Sequence, residues 1–202
     1  MKVVIIKYNA GNIRSVLFAL ERLNVKAVVS DEHDLIKSAD KVIFPGVGEA
    51  STAMTYLKEK GLDKTITSLR QPVLGICLGM QLLCNYSEEN DTTCLGVFNQ
   101  QVKKFSPKES GVVRTDKEKV PQIGWNNIYS LQSPLFKDIS ENSYMYFVHG
   151  YYAEQGADTI STTDYITPYS SALQKDNFYA VQFHTEKSGD QGQLILQNFI
   201  KL

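Results

Sequence analysis

Nine residues, V-L-G-I-C-L-G-M-Q at 73–81, constrain the fold of this chain more tightly than any other stretch. They read as a buried strand that turns sharply into a helix, with Cys77 at the bend. Gly75 and Gly79 stand two residues to either side of it, giving G-x-C-x-G, the thiol version of the nucleophile elbow, in which small residues let strand and helix pack around a strained turn. A sulfur so placed is expected to be presented rather than hidden. It lies beside the first unpaired N–H groups and the positive dipole end of the following helix, which should draw its pKa below the ~8.5 of a free cysteine and favour a thiolate nucleophile. Cys84 and Cys94 lack the glycine framing and read as small buried hydrophobes.

The chain around the elbow alternates strand and helix. Residues 3–6 form a continuous β-branched run, as in a strand covered on both faces, and Asn12 is expected to cap a helix with Ile13, Val16, Leu17 and Leu20 on one side. Further strands are predicted at 26–29, 42–44 and 73–76, with a helix over about 49–60 that Gly61 ends. The implied fold class is α/β: three layers, a mostly parallel sheet flanked by helices. Such sheets bind ligands at the carboxyl ends of their strands, where residues 8–12, 45–48 and Cys77 all fall. Beyond residue 85 the pattern changes. Residues 87–93 are polar and 106–119 read as a charged loop, while antiparallel additions are predicted at 101–105, 125–130, 144–149, 159–163, 170–174 and 178–183. A closing helix would turn Leu194, Ile195 and Phe199 inward.

At 202 residues the chain is expected to form a single domain, 1–202. Its formal net charge is -1 and its basic residues form no runs, which disfavours nucleic acid and anionic lipid as partners. The apolar stretch near Met1 is too short for a signal peptide, and no segment approaches the roughly 20 apolar residues of a membrane span. With an odd number of cysteines as well, a reducing cytoplasm is the expected location. No C-x-x-C pair occurs and the histidines are scattered, so neither a metal site nor a cofactor is expected.

A cysteine nucleophile needs a base. His184 ends the strand Y-A-V-Q-F, and Glu186 follows two residues on, a spacing that in extended chain points both side chains the same way. The carboxylate could then hold the imidazole in the tautomer that accepts the thiol proton, making Cys77, His184 and Glu186 a triad. His149 in F-V-H-G-Y is the competing base and reads better as structural, and His33, between Glu32 and Asp34, reads as an exposed surface residue. Acyl transfer also needs donors for a tetrahedral oxyanion. The N–H of Leu78 at the helix start is one candidate, and the P-G-V-G loop at 45–48 can bring that of Val47 or Gly48 as the second. Read alone, that loop is also an ordinary tight turn.

Taken together, G-I-C-L-G-M-Q at 75–81, P-G-V-G at 45–48 and H-T-E-K at 184–187 resemble the class I glutamine amidotransferases. Y-N-A-G-N at 8–12, V-P-Q-I-G-W-N at 120–126 and Y-F-V-H at 146–149 look, within that family, like the glutaminase subunits of imidazole glycerol phosphate synthase, and the likeness runs from end to end of the chain. The resemblance implies a flavodoxin-like glutaminase fold and hydrolysis of L-glutamine through a glutamyl thioester on Cys77. His184 would act as base and acid and Glu186 as its orienter, while Gly48 and Gln81 would hold the glutamine. It further implies a partner, a cyclase subunit built as a (β/α)₈ barrel and joined as a heterodimer, which uses the ammonia in histidine biosynthesis. Asn12, Trp125, Tyr146 and Lys187 match positions at that interface. Thr185 stands where the family more often has proline, and Gln122 replaces a frequent histidine. A glutaminase subunit of anthranilate or nucleotide synthesis, or a non-catalytic module on the same fold, remains an alternative at this level.

Overall fold

The computed structural model describes residues 1–9, 12–106 and 119–202; most of the charged stretch read as a loop lies outside them. In chain order the first half runs β1 (Val3–Ile6), α1 (Ile13–Arg22), β2 (Ala27–Ser30), α2 (His33–Lys37), β3 (Lys41–Gly46), α3 (Ala50–Glu59), α4 (Leu62–Thr67), β4 (Val73–Cys77) and α5 (Leu78–Leu83). The second half runs β5 (Tyr86–Ser87), β6 (Thr92–Thr93), β7 (Gln101–Lys104), β8 (Gln122–Ile128), β9 (Ser143–His149), β10 (Tyr151–Ala153), β11 (Thr159–Asp164), β12 (Pro168–Lys175), β13 (Phe178–Val181) and α6 (Gly189–Lys201). The strand order β2-β1-β3-β4-β13-β12-β10-β7-β5-β6, with β11 beside β12, makes one eleven-stranded sheet, and β8 and β9 pair separately.

β1 shows why a β-branched run was needed. Val4 and Ile6 enter an apolar cluster with Leu57, Leu62 and Leu82, while Val3 and Ile5 enter a second one with Leu20, Ile195 and Phe199. The sheet is therefore covered by α3, α4 and α5 on one face and by α1 and α6 on the other, the three layers expected of alternating elements. Among the described residues no helix is long and apolar enough to cross a membrane.

Several expectations need correction. β13, read as an antiparallel addition, is antiparallel to β12 on one edge but pairs in parallel with β4 on the other, matching Val181 to Ile76, so the strand leading to His184 lies beside the strand leading to Cys77. The helices α2 and α4 and the strands β5, β6 and β10 have no counterpart in the sequence reading, because two to six residues are too few to show a period. His33 is half-buried, not free on the surface: its ring bonds the Thr65 hydroxyl at 2.6 Å and the Lys60 carbonyl at 3.0 Å. The carbonyl can only accept, so Nε2 carries a proton.

Candidate active site

The elbow is built by steric exclusion. Cys77 sits at φ 53° and ψ -109°, a conformation that L side chains rarely adopt and that marks a strained turn. A Cβ at Gly79 would stand 1.8 Å from the Phe44 carbonyl oxygen, so α5 approaches β3 only because that residue is glycine. At Gly75 a Cβ would lie 2.8 Å from Leu83 Cδ1 and 3.1 Å from the Gly79 carbonyl. The tight turn therefore rests on both glycines the motif supplies. One expectation fails in degree: Cys77 is only 6% exposed, reached through a cavity rather than standing on the surface.

The base arrives from the neighbouring strand. β13 ends at Val181, and His184 precedes a short 3-10 turn over Thr185–Lys187. His184 Nδ1 lies 2.7 Å from Glu186 Oε1, with the two side chains 2% and 0% exposed, and the ring is within interaction range of the Cys77 sulfur. Burial opposes a charge on this imidazole, but the Cys77 and Glu186 bonds and their negative charges outweigh it and push its pKa up to about 10. At neutral pH the arrangement thus favours the imidazolium form of His184.

The turn itself is held by distant segments. The His184 N–H donates to the Tyr146 carbonyl of β9 at 2.9 Å. Tyr146 N–H donates in turn to the Ser188 hydroxyl at 2.9 Å, and that hydroxyl donates to the His184 carbonyl at 2.7 Å. α6 packs onto the turn at Gly192, where a Cβ would stand 2.0 Å from the Thr185 carbonyl oxygen. Thr185 is buried, and its hydroxyl has no hydrogen-bond partner among the described residues.

Asn12 departs from its expected role as a cap. It occupies the position before α1 at φ 73° and makes no side-chain cap bond. Its amide nitrogen donates instead to Glu186 Oε1 and lies 3.4 Å from His184 Nδ1, so α1 contributes directly to the triad carboxylate.

Val47, Gly48, Cys77, Leu78, Gln81, His184 and Lys187 all line one cavity of about 210 Å³, small beside ordinary ligand pockets of roughly 300 Å³ and upward. Gly48 has φ +115°, which suits a loop that must bend sharply at the end of β3. The loop thus lies beside the elbow, as the ordinary-turn reading would not require. Glu89, Val148, His149, Gly150 and Tyr151 complete the wall, and the sequence reading missed them as lining residues. Glu89 lies in a polar loop with no motif around it. Its Oε2 accepts from the Ala50 N–H at 2.7 Å, while burial raises its pKa.

A polar network lies behind this wall. The Tyr151 carbonyl accepts from His149 Nδ1 at 2.7 Å and from Gln81 Nε2 at 3.0 Å, and Gln81 Nε2 also donates to Gln182 Oε1 at 2.9 Å. Gln81 therefore spends both N–H groups inside the protein, leaving only its Oε1 for a ligand. Burial is the main reason that the His149 pKa falls to about 4, so the ring is neutral at ordinary pH, in keeping with its structural reading. Gln122, buried at the start of β8, accepts from the Tyr169 hydroxyl at 3.0 Å, and that hydroxyl is 3.2 Å from His149 Nε2.

The residues assigned to a partner face divide. Trp125 is 55% exposed and sits edge-on to Tyr146 across the β8–β9 pair, with Ile123 and Tyr144 exposed beside them. Lys187 reaches over the Tyr146 ring, its Nζ 5.9 Å from the centroid. Neither ring has the buried environment of a core aromatic.

Comparison with known proteins adds to this geometry. A family model described as glutamine amidotransferase class-I matches residues 4–202. The chain is 57% identical to the imidazole glycerol phosphate synthase subunit HisH of Bacteroides fragilis (strain YCH46), over 100% of both chains. To the protein of the same name in Pasteurella multocida it is 42% identical, over 98% of this chain and 97% of that one. Among solved structures, PurLQS from Thermotoga maritima superposes with a TM-score of 0.69 at 14% identity, covering 99% of this chain and 97% of that one. A glutamine amidotransferase from the same organism gives 0.61 at 16% identity, covering 99% and 82%. At such identities the structural likeness speaks for the fold.

Proposed function

Because the chain belongs to the class I glutamine amidotransferases and, within them, to the HisH subunits of imidazole glycerol phosphate synthase, we propose that its cavity hydrolyses L-glutamine by covalent catalysis on Cys77. With the thiol proton held on His184 as the imidazolium, the sulfur attacks the side-chain amide carbon to give a tetrahedral oxyanion. The backbone N–H groups of Leu78 and Val47 receive that charge, each such donor being commonly worth ~10²–10³ in rate. The imidazolium then gives its proton to the departing nitrogen, so ammonia leaves and a glutamyl thioester remains. Water, deprotonated by His184, cleaves the thioester to glutamate and restores the thiol. Glu186 holds the ring throughout. Gly48 and the Gln81 Oε1 contact the glutamine, and the Glu89 carboxylate suits its ammonium group.

The ammonia passes to a partner subunit, a (β/α)₈ cyclase that docks as a heterodimer over Trp125, Tyr146, Lys187 and the neighbourhood of Asn12. One domain spanning 1–202 carries the glutaminase half, and the cytoplasm is the compartment in which its thiol stays reduced. The observation that carries the reading is the 2.7 Å contact of His184 with Glu186, on an imidazole that shares one cavity with the elbow sulfur and interacts with it. Cys77→Ala is expected to abolish glutamine-dependent synthesis by the assembled synthase while leaving synthesis from ammonium salts intact. Glutamine-dependent turnover retained in that variant would contradict the assignment.

A further inference from the structure

Gln182 has no part in the chemistry described so far. It lies between β13 and His184, is fully buried, and its Nε2 is 3.7 Å from the Cys77 sulfur. Which end of a buried amide faces a given neighbour is a matter of hydrogen-bond logic, and here the logic runs inward from a carbonyl. The Tyr151 carbonyl oxygen can only accept, so the end of the Gln81 amide facing it is the NH₂. The second proton of that NH₂ points at Gln182, whose facing atom must then be its oxygen. The Gln182 NH₂ is left at the opposite end, directed at the sulfur.

We propose that Gln182 is a catalytic hydrogen-bond donor to the Cys77 sulfur, held in its donating orientation by the Tyr151 carbonyl and the Gln81 amide. The proposal deepens the nucleophile reading above and rests on it. A sulfur with a fixed N–H on one side and His184 on another accepts two hydrogen bonds as an anion and loses most of their strength as a thiol, outweighing the single bond that the thiol can donate to the Val148 carbonyl at 3.8 Å. The elbow then owes its thiolate to a neutral donor as well as to the histidine. The amide also fixes one lobe of the sulfur, leaving the cavity side for attack. The titratable groups facing Cys77 are His184, with Glu186 behind it, and the Tyr8 hydroxyl, a buried group raised by desolvation and by the Cys77 charge. Glu89, His149 and Lys187 line the same cavity. Gln182 differs from all of these in carrying no titratable proton, so its N–H is available to the sulfur across the pH range.

The test is the pH profile of iodoacetamide alkylation on the purified full chain, with peptide mapping of the adduct. Burial holds the Cys84 thiol well above its ordinary pKa and pushes Cys94 up to about 12, so the adduct is expected on Cys77. An adduct elsewhere would sink the nucleophile reading itself. Gln182→Met keeps the volume and removes the donor. With Cys77 still the labelled site, it is expected to raise the alkylation midpoint by about one pH unit, a tenfold shift in the thiolate-to-thiol ratio. An unmoved midpoint would overturn the proposal, even if thermal stability fell, because a purely structural glutamine changes the melt and not the profile. Should that variant fail to fold, the unaltered protein answers by nuclear magnetic resonance. The Gln182 side-chain amide proton is expected to move with the same midpoint as Cys77 alkylation, and a resonance that stays fixed through that range would contradict the assignment.

Discussion

The two halves of the active site reach their geometry by different routes. The elbow around Cys77 is local: strand, bend and helix lie within residues 73–83, and the turn closes because Gly75 and Gly79 leave room for backbone and side chains at contact distance. The His184 turn is held from afar by Asn12 before α1 and Tyr146 in β9, and from close by through Ser188 and Gly192 at the start of α6. Sterics fixes the first, whereas hydrogen bonds between segments far apart in sequence orient the second. A local device is rigid but fails all at once. An assembled one can be loosened by degrees, through any segment that contributes to it. Tyr146 belongs to both the exposed β8–β9 pair and the His184 turn, and Val148 of the same strand offers its carbonyl 3.8 Å from the Cys77 sulfur, so a molecule covering that pair would bear on the histidine half and, through Val148, on the elbow as well.

Substitutions can set the two halves against each other. The largest expected effect is on the assembled half: Glu186→Gln should lower kcat by on the order of 10³-fold in a glutamine-dependent assay, since an amide can pair with the wrong tautomer of the ring. It should also move the alkaline limb. The His184 pKa is raised to about 10, so the stability its charge contributes is full below the ordinary value near 6.5 and is lost as pH rises through about 10. Without the carboxylate that loss should begin at lower pH, which denaturant titrations across the alkaline range would register. If the alkaline limb stayed in place, Glu186 would not be what supports the imidazolium.

Next in size is a break in the local half. Gly79→Ala drives a methyl group into the Phe44 carbonyl and should cost more than about 3 kcal/mol in urea unfolding, beyond the usual penalty of overpacking. A folded variant with ordinary stability would show that the elbow is less tight than described. The smallest effect sharpens the comparison: Asn12→Ala removes one donor to Glu186 and should reduce kcat about tenfold at nearly unchanged stability, because the Glu186 bond to His184 survives. A loss as large as that of Glu186→Gln would mean that the carboxylate depends wholly on α1.

The same contrast governs how much of the molecule is legible in the sequence alone. G-x-C-x-G announces its own structure, because strand, bend and helix are adjacent in sequence and each glycine has a single steric reason. The pairing of His184 with Glu186 is legible for the same cause, a separation of two residues. The parallel placement of β13 is not, since four residues of strand do not record the direction of their neighbour. Asn12 looks like a helix cap, as asparagine before an apolar run usually is, and nothing local reveals a carboxylate 174 positions away. Glu89 and Gln182 are invisible for a related reason. Their roles come from a wall and a buried amide relay that exist only once β4, β10 and β13 lie in one sheet.

The claim most open to direct test is that the Cys77 sulfur forms a covalent bond to glutamine. The assembled synthase can be acid-quenched during turnover, digested, and searched by mass spectrometry for a glutamyl group. The expected result is a glutamyl adduct on the Cys77 peptide alone, released by hydroxylamine and missing in Cys77→Ala. Glutamate accumulating while that peptide stays unmodified in quenches spanning the first turnover, or an adduct on Cys84 or Cys94, would contradict the account.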